Sequence, residues 1–177
     1  LSSRAALSQP GMPVYRGGGQ ALINNTVAVT TANSSGAGVV LSAVTAASIL
    51  TDLPKEVFQQ FTMIVTNFHV VEEGIDPSVS FAPVGTMDPS KAPVAQGEIF
   101  SVVPTKDLAL VVVEGKPNHV TGVSLASPGS AQVGDDVQAV GHPKGQAWTY
   151  TRGYISQIRK NYSWSYNQSF QHTADVI

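Results

Sequence analysis

The chain has 177 residues, 42% apolar and 12% charged, with ten basic side chains against twelve acidic ones, a net charge of −2 and no cysteine. That length suits one domain or two small lobes with a core that needs no staples. The composition excludes wholesale disorder, disulfides, thiolate metal sites and a cysteine nucleophile within these residues, and the charge argues against a phosphate-backbone footprint as the main purpose.

In chain order, residues 1–20 read as an N-terminal arm: Pro10, Gly11, Pro13 and Gly17 to Gly19 give no period. The start at Leu1 lacks the basic end and apolar run of a signal peptide and suits a processed or trimmed end. Val and Ile dominate the apolar set, and β-branched side chains fit a pleated surface. Strands are expected at 26–31, 37–42, 61–66, 78–83, 94–103 and 108–114, which makes 21–114 a first β-lobe. Leu108 to Val113 is a continuous apolar run, the pattern of a strand covered on both faces. Between these strands, 43–60 is not strand-like, and Asp52 with Pro54 offers the cap and first turn of a short helix. Residues 115–131, broken by Gly115, Pro117, Gly122, Pro128 and Gly129, read as a connection. Further strands at 136–141, 147–158 and 168–174 fall in a second lobe, 132–177. No run of about 18 apolar residues spans a membrane. Many short strands between turns predict an all-β sandwich or barrel.

Four histidines, His69, His119, His142 and His172, show neither HxH nor HExxH spacing, so no sequence-local metal site is expected and no cofactor is called for. His69 follows the apolar run Met63 to Thr66, and Asp107 opens the most apolar strand. Each has a plain explanation, a histidine satisfied by backbone at a strand end and an ordinary turn aspartate. Together they have a chemical logic. Imidazole titrates near neutral pH and can act as a general base, and a carboxylate beside a buried strand needs a partner such as an imidazole N–H. Spacing alone does not bring the two together.

The strings Ser35-Gly36-Ala37-Gly38-Val39-Val40-Leu41, Val65-Thr66-Asn67-Phe68-His69-Val70-Val71 and Lys106-Asp107-Leu108-Ala109-Leu110 resemble the trypsin/chymotrypsin-like proteases, in particular the cysteine-free HtrA/DegP-like branch. Val133 to Gly145 and Thr149 to Ser156 continue the likeness in the same order over roughly 35–177. The resemblance implies a chymotrypsin-like double β-barrel, with His69 as base and Asp107 as its orienting acid, and suggests a secreted or periplasmic protein.

The family's Gly-Asn-Ser-Gly-Gly nucleophile segment has no counterpart in this sequence; Phe170 to Ile177 resemble the strand just upstream of it. Ser35 and Ser130 read as turn serines. The resemblance therefore implies an incomplete second barrel, inactive alone, whose nucleophile and oxyanion hole lie beyond residue 177. A complementing C-terminal segment or second chain is expected, because a half barrel leaves open edges. By the same likeness Val176 and Ile177 would sit near the pocket for the residue before the cut and would favour apolar side chains there. His142 stands where the pattern usually has Asn and reads as a loop residue; His172 precedes the absent segment. Arg152, Arg159 and Lys160 beside Tyr154, Tyr162 and Trp164 are an aromatic–basic mix, read as an ordinary exposed strand rather than a nucleic-acid site. The expected partner is a protein or peptide substrate. Two other readings stay open: an inactive peptide-binding module on a protease fold, and a protease with Cys as its nucleophile.

Overall fold

The computed structural model describes residues 18–142, 147–163 and 166–174. The arm residues 1–17 and the pocket candidates Val176 and Ile177 lie outside them. The first element is a helix, α1 (Gly18–Asn24), where the glycine run had suggested only arm. Strands β1 (Thr26–Thr30), β2 (Ser35–Val40), β3 (Phe61–Thr66), β4 (Ser78–Phe81), β5 (Val94–Gln96), β6 (Glu98–Val103) and β7 (Leu108–Glu114) form one antiparallel sheet in the order β5-β4-β1-β2-β3-β7-β6. β5 pairs with β4 at one edge and β6 with β7 at the other, yet only Gly97 separates β5 from β6. The sheet is therefore curled until its two edges meet in one bent strand. A Cβ at Gly97 would lie 2.8 Å from a methyl of Val111 and 3.0 Å from the Pro77 carbonyl oxygen, so glycine permits the corner.

Alternation along the strands sends Val27, Val29, Val40, Ile64, Val79, Phe81, Val111 and Val113 into a core that is at most 2% exposed. Burying each such side chain contributes about 1.5–3 kcal/mol. Thr62 and Thr66 also point inward from β3, and their hydroxyls donate to the carbonyls of Gly115 at 2.7 Å and Ala37 at 2.8 Å. The other face of β3 and β7 carries Met63, Val65, Leu110 and Val112. These pack under α2 (Ala43–Ile49) and α3 (Val57–Gln60), so β7 is covered on both faces. The segment between β2 and β3 is thus helical, but Asp52 caps neither helix. Ser42 caps α2, its hydroxyl accepting from the Thr45 amide at 3.2 Å, and Asp52 falls in the turn before α3.

Residues 115–131 run irregularly along the first sheet. The Asn25 carboxamide oxygen accepts from the amides of Thr121 at 3.1 Å and Gly122 at 2.8 Å, and Val123 bridges Leu41. Gly122 has φ +81°, and a Cβ there would come within 2.4 Å of the Ser42 nitrogen. Beyond lies a three-stranded antiparallel sheet, β8 (Asp136–Gly141), β9 (Thr149–Ser163) and β10 (Tyr166–His172), with β9 central. Trp148 ties this sheet to the first: its buried indole N–H donates to the Thr26 carbonyl at 2.8 Å. No helix among the described residues is long and apolar enough to cross a membrane.

Candidate active site

β3 ends at Thr66, and the chain turns into a single helical turn, α4 (Phe68–Val71), with Asn67 in extended conformation before it. His69 is the second residue of that turn, where the apolar string had suggested a strand end. Val70 and Val71 anchor the turn in the core, at 3% and 2% exposure, which leaves the imidazole at the rim. Asp107 follows the short 3₁₀ turn Pro104–Lys106 and precedes β7. Its backbone is left-handed, φ 51°, ψ 45°. Asn tolerates that region, as does Asp, because a short polar side chain can bond locally.

The pairing of β3 with β7 brings these two chain segments side by side: the last register pair is Thr66 with Ala109. One Asp107 carboxylate oxygen, Oδ2, lies 2.7 Å from His69 Nδ1, and the other, Oδ1, accepts from the His69 backbone amide at 2.8 Å. Asn67 Nδ2 donates to the Asp107 carbonyl oxygen at 3.0 Å. The His69 amide, with the ring contact beside it, holds the Asp107 carboxyl below the usual carboxylate range. A carboxylate against Nδ1 fixes the proton there. Nε2 makes no hydrogen bond among the described residues, and the imidazole is 61% exposed and the Asp107 side chain 37%. The arrangement can therefore accept a proton at Nε2 and stabilise the resulting imidazolium at Nδ1. Beside it a cleft of about 370 Å³ runs between the two sheets, reaching Thr66, Asn67 and Leu108 on one side and Gln138 and Val140 on the other.

The remaining residues singled out in the sequence lie elsewhere. Ser35 is exposed at the start of β2, and Ser130 donates to the Ser127 carbonyl at 2.7 Å as a turn serine. His119 Nε2 contacts the Ala82 carbonyl at 2.8 Å. His172 ends β10 and is exposed. Arg152 and Arg159 lie on β9, where Arg159 donates to Gln171 at 3.0 Å. His142 is more than a loop residue. Its Nδ1 accepts from the Trp148 amide at 3.0 Å and its ring meets the indole edge-to-face at 5.0 Å. Its Nε2 is buried with no hydrogen-bond partner among the described residues. Burial pushes its pKa below the ordinary imidazole value, and the Val27 backbone pulls more weakly the other way. Sequence reasoning gave Asn67 no role, although a polar residue closing an apolar strand two positions before His69 was the available signal.

A curled antiparallel sheet with a histidine and an aspartate paired at its rim is the arrangement of a trypsin-like peptidase lobe. The chain belongs to the trypsin-like peptidase domain family, which matches residues 36–177. It is 29% identical over 100 residues to the chloroplastic Protease Do-like 1 of Arabidopsis thaliana, covering 56% of this chain and 21% of that protein. It is 30% identical over 98 residues to the periplasmic serine endoprotease DegP of Salmonella typhimurium, covering 55% of this chain and 19% of that one. The chain thus spans about a fifth of the length of these curated relatives. The crystal structure of Deg5 superposes with a TM-score of 0.63 at 24% identity over 89% of this chain and 71% of that one. The serine endoprotease from Yersinia pestis gives 0.55 at 19% identity over 78% and 43%. These matches bear out the likeness to the DegP-like branch and the chymotrypsin-like fold with an incomplete second barrel.

Proposed function

We propose that the chain is the N-terminal part of an exported serine endopeptidase that hydrolyses peptide bonds by acyl transfer, with the nucleophilic serine and oxyanion hole contributed by residues beyond Ile177. The observation that carries this reading is the two-point grip of Asp107 on His69, on the ring Nδ1 and on the backbone amide. His69 Nε2 takes the serine proton as the serine oxygen bonds to the substrate carbonyl carbon. The same Nε2–H then passes that proton to the amide nitrogen as the scissile C–N bond breaks. Water, deprotonated at Nε2, hydrolyses the acyl ester and restores the serine. Asp107 keeps the ring in its working tautomer and stabilises the imidazolium; it does not itself take the proton. With no nucleophilic serine to acylate, and with a loss of about a hundredfold to a thousandfold for each missing oxyanion donor, the chain alone hydrolyses no peptide in this reading. Protein or peptide substrates and a complementing C-terminal segment are its partners in this reading.

The test is fluorophosphonate labelling of the full-length protein followed by mass spectrometry. One adduct on a serine C-terminal to Ile177, formed at least a hundredfold more slowly in His69→Ala, is the expected result. Labelling that His69→Ala leaves unchanged would overturn the assignment of His69. No labelling of the wild type would favour the inactive peptide-binding module.

A further inference from the structure

Asn67 stands directly before the first residue of α4, the position where an Asn side chain ordinarily accepts from an amide of the first turn. Here it makes no such bond. The amide it would ordinarily cap, that of His69, is taken instead by Asp107 Oδ1 at 2.8 Å. The Asn67 carboxamide is spent on the Asp107 carbonyl at 3.0 Å. The two residues have exchanged capping duties.

Asp107 needs the bond. It lies outside the ladder on both flanks, two residues before Ala109, where β3 pairs last through Thr66, and one before Leu108, where β6 pairs last through Val103. Its amide closes the preceding turn onto Pro104 at 3.1 Å. Among the described residues its carbonyl has neither a ladder partner nor a turn partner, and its φ of 51° is a conformation that costs residues other than Gly energy, less for Asp and Asn than for most, which the surroundings offset. From this exchange we infer that Asn67 is a positioning residue: its carboxamide locks the left-handed backbone of Asp107, and so aims the carboxylate at the backbone and ring of His69 together. The inference rests on the proposed roles of His69 and Asp107. The residue is set by chain geometry, being forty positions from its partner.

The experiment uses the full-length protein carrying Asn67→Ala, with Asn67→Ser as a second variant whose hydroxyl keeps a cap but is too short to reach the carbonyl. Peptide hydrolysis is measured as kcat and KM separately. The Asp107 carboxyl is titrated by carbon NMR on aspartate-labelled protein, its signal identified by its loss in Asp107→Asn. The expected result is a fall in kcat of about tenfold to a hundredfold with KM nearly unchanged. The Asp107 titration should move up toward the ordinary carboxylate range in the same variants, although Asn67 does not touch the carboxylate. A fall in kcat with the Asp107 titration unmoved would overturn the inference, as would wild-type kcat and titration in both variants. If the wild type shows no turnover, the proposed function fails, while the upward shift of the Asp107 titration still upholds the backbone lock and its absence refutes it.

Discussion

Replacing Asp107 by Asn tests the paired geometry at the level of single protons. The carboxylate presents two acceptors, and both are used: Oδ1 by the His69 backbone amide at 2.8 Å, Oδ2 by the ring Nδ1 at 2.7 Å. A carboxamide has one acceptor and one donor. The backbone amide can only donate, so the carboxamide oxygen must face it, and the NH₂ group is left opposite Nδ1. That nitrogen must then accept, which places the ring proton on Nε2, the atom that should take the serine proton. Shape is conserved and the tautomer is reversed. Asn also tolerates the left-handed φ of 51°, so the variant should fold. The expected loss is about 10⁴ in kcat, equivalent to about 5.5 kcal/mol of transition-state stabilisation, with KM nearly unchanged. Steady-state hydrolysis of a peptide by the full-length protein, alongside circular dichroism to verify folding, measures it. A loss below tenfold, or one carried by KM, would refute the argument that Asp107 sets the tautomer.

Four further outcomes follow from the fold. Gly38→Ala would place a methyl 2.8 Å from Ile64 and 3.1 Å from Val27 and Val29, all fully buried, and overpacking there should lower stability by about 1–3 kcal/mol in a thermal melt. Trp148→Phe removes the indole donor from the Thr26 carbonyl and should cost about 1–3 kcal/mol, read in the same assay. His142 has a depressed pKa in the folded protein, so the unfolded chain binds its proton first as pH falls. Stability should therefore hold above the ordinary imidazole value of 6.5 and decline as pH drops below it. His142→Asn, which keeps an acceptor for the Trp148 amide but does not titrate, should flatten that decline. Asp107, depressed from 3.8 by its bonds to His69, acts in a lower window, and its contribution disappears as pH falls below that value.

The strands were legible because their signals are local. Short apolar runs rich in β-branched residues predict β3, β7 and β8 over their full observed ranges, 61–66, 108–114 and 136–141. Local signals also misled. Gly18 and Gly19, which open α1, read as arm, and Asp52 with Pro54 outweighed Ser42, whose hydroxyl makes the actual cap. The stretch 94–103 reads as one strand because nothing in its pattern shows that β5 and β6 serve opposite edges. His69 and Asp107 were legible only as members of ordered strings, since nothing local ties residues 38 positions apart. The unread parts are those in which a side chain serves a distant backbone. Asn67 on Asp107 and Trp148 on Thr26 are long-range bonds, and the left-handed backbone of Asp107 and Trp148 carries no glycine to announce it.

The corner at Gly97 joins the two outer strands of the first sheet through a single residue, while among the described residues each keeps one unpaired flank: β5 pairs only with β4, and β6 only with β7. The five strands between them have both flanks paired and can neither lend themselves to another molecule nor accept a further strand without that pairing being opened. Among the described residues the open flanks belong to β5, β6, β8 and β10, so any chain that joins this one through backbone pairing meets it at one of these four strands.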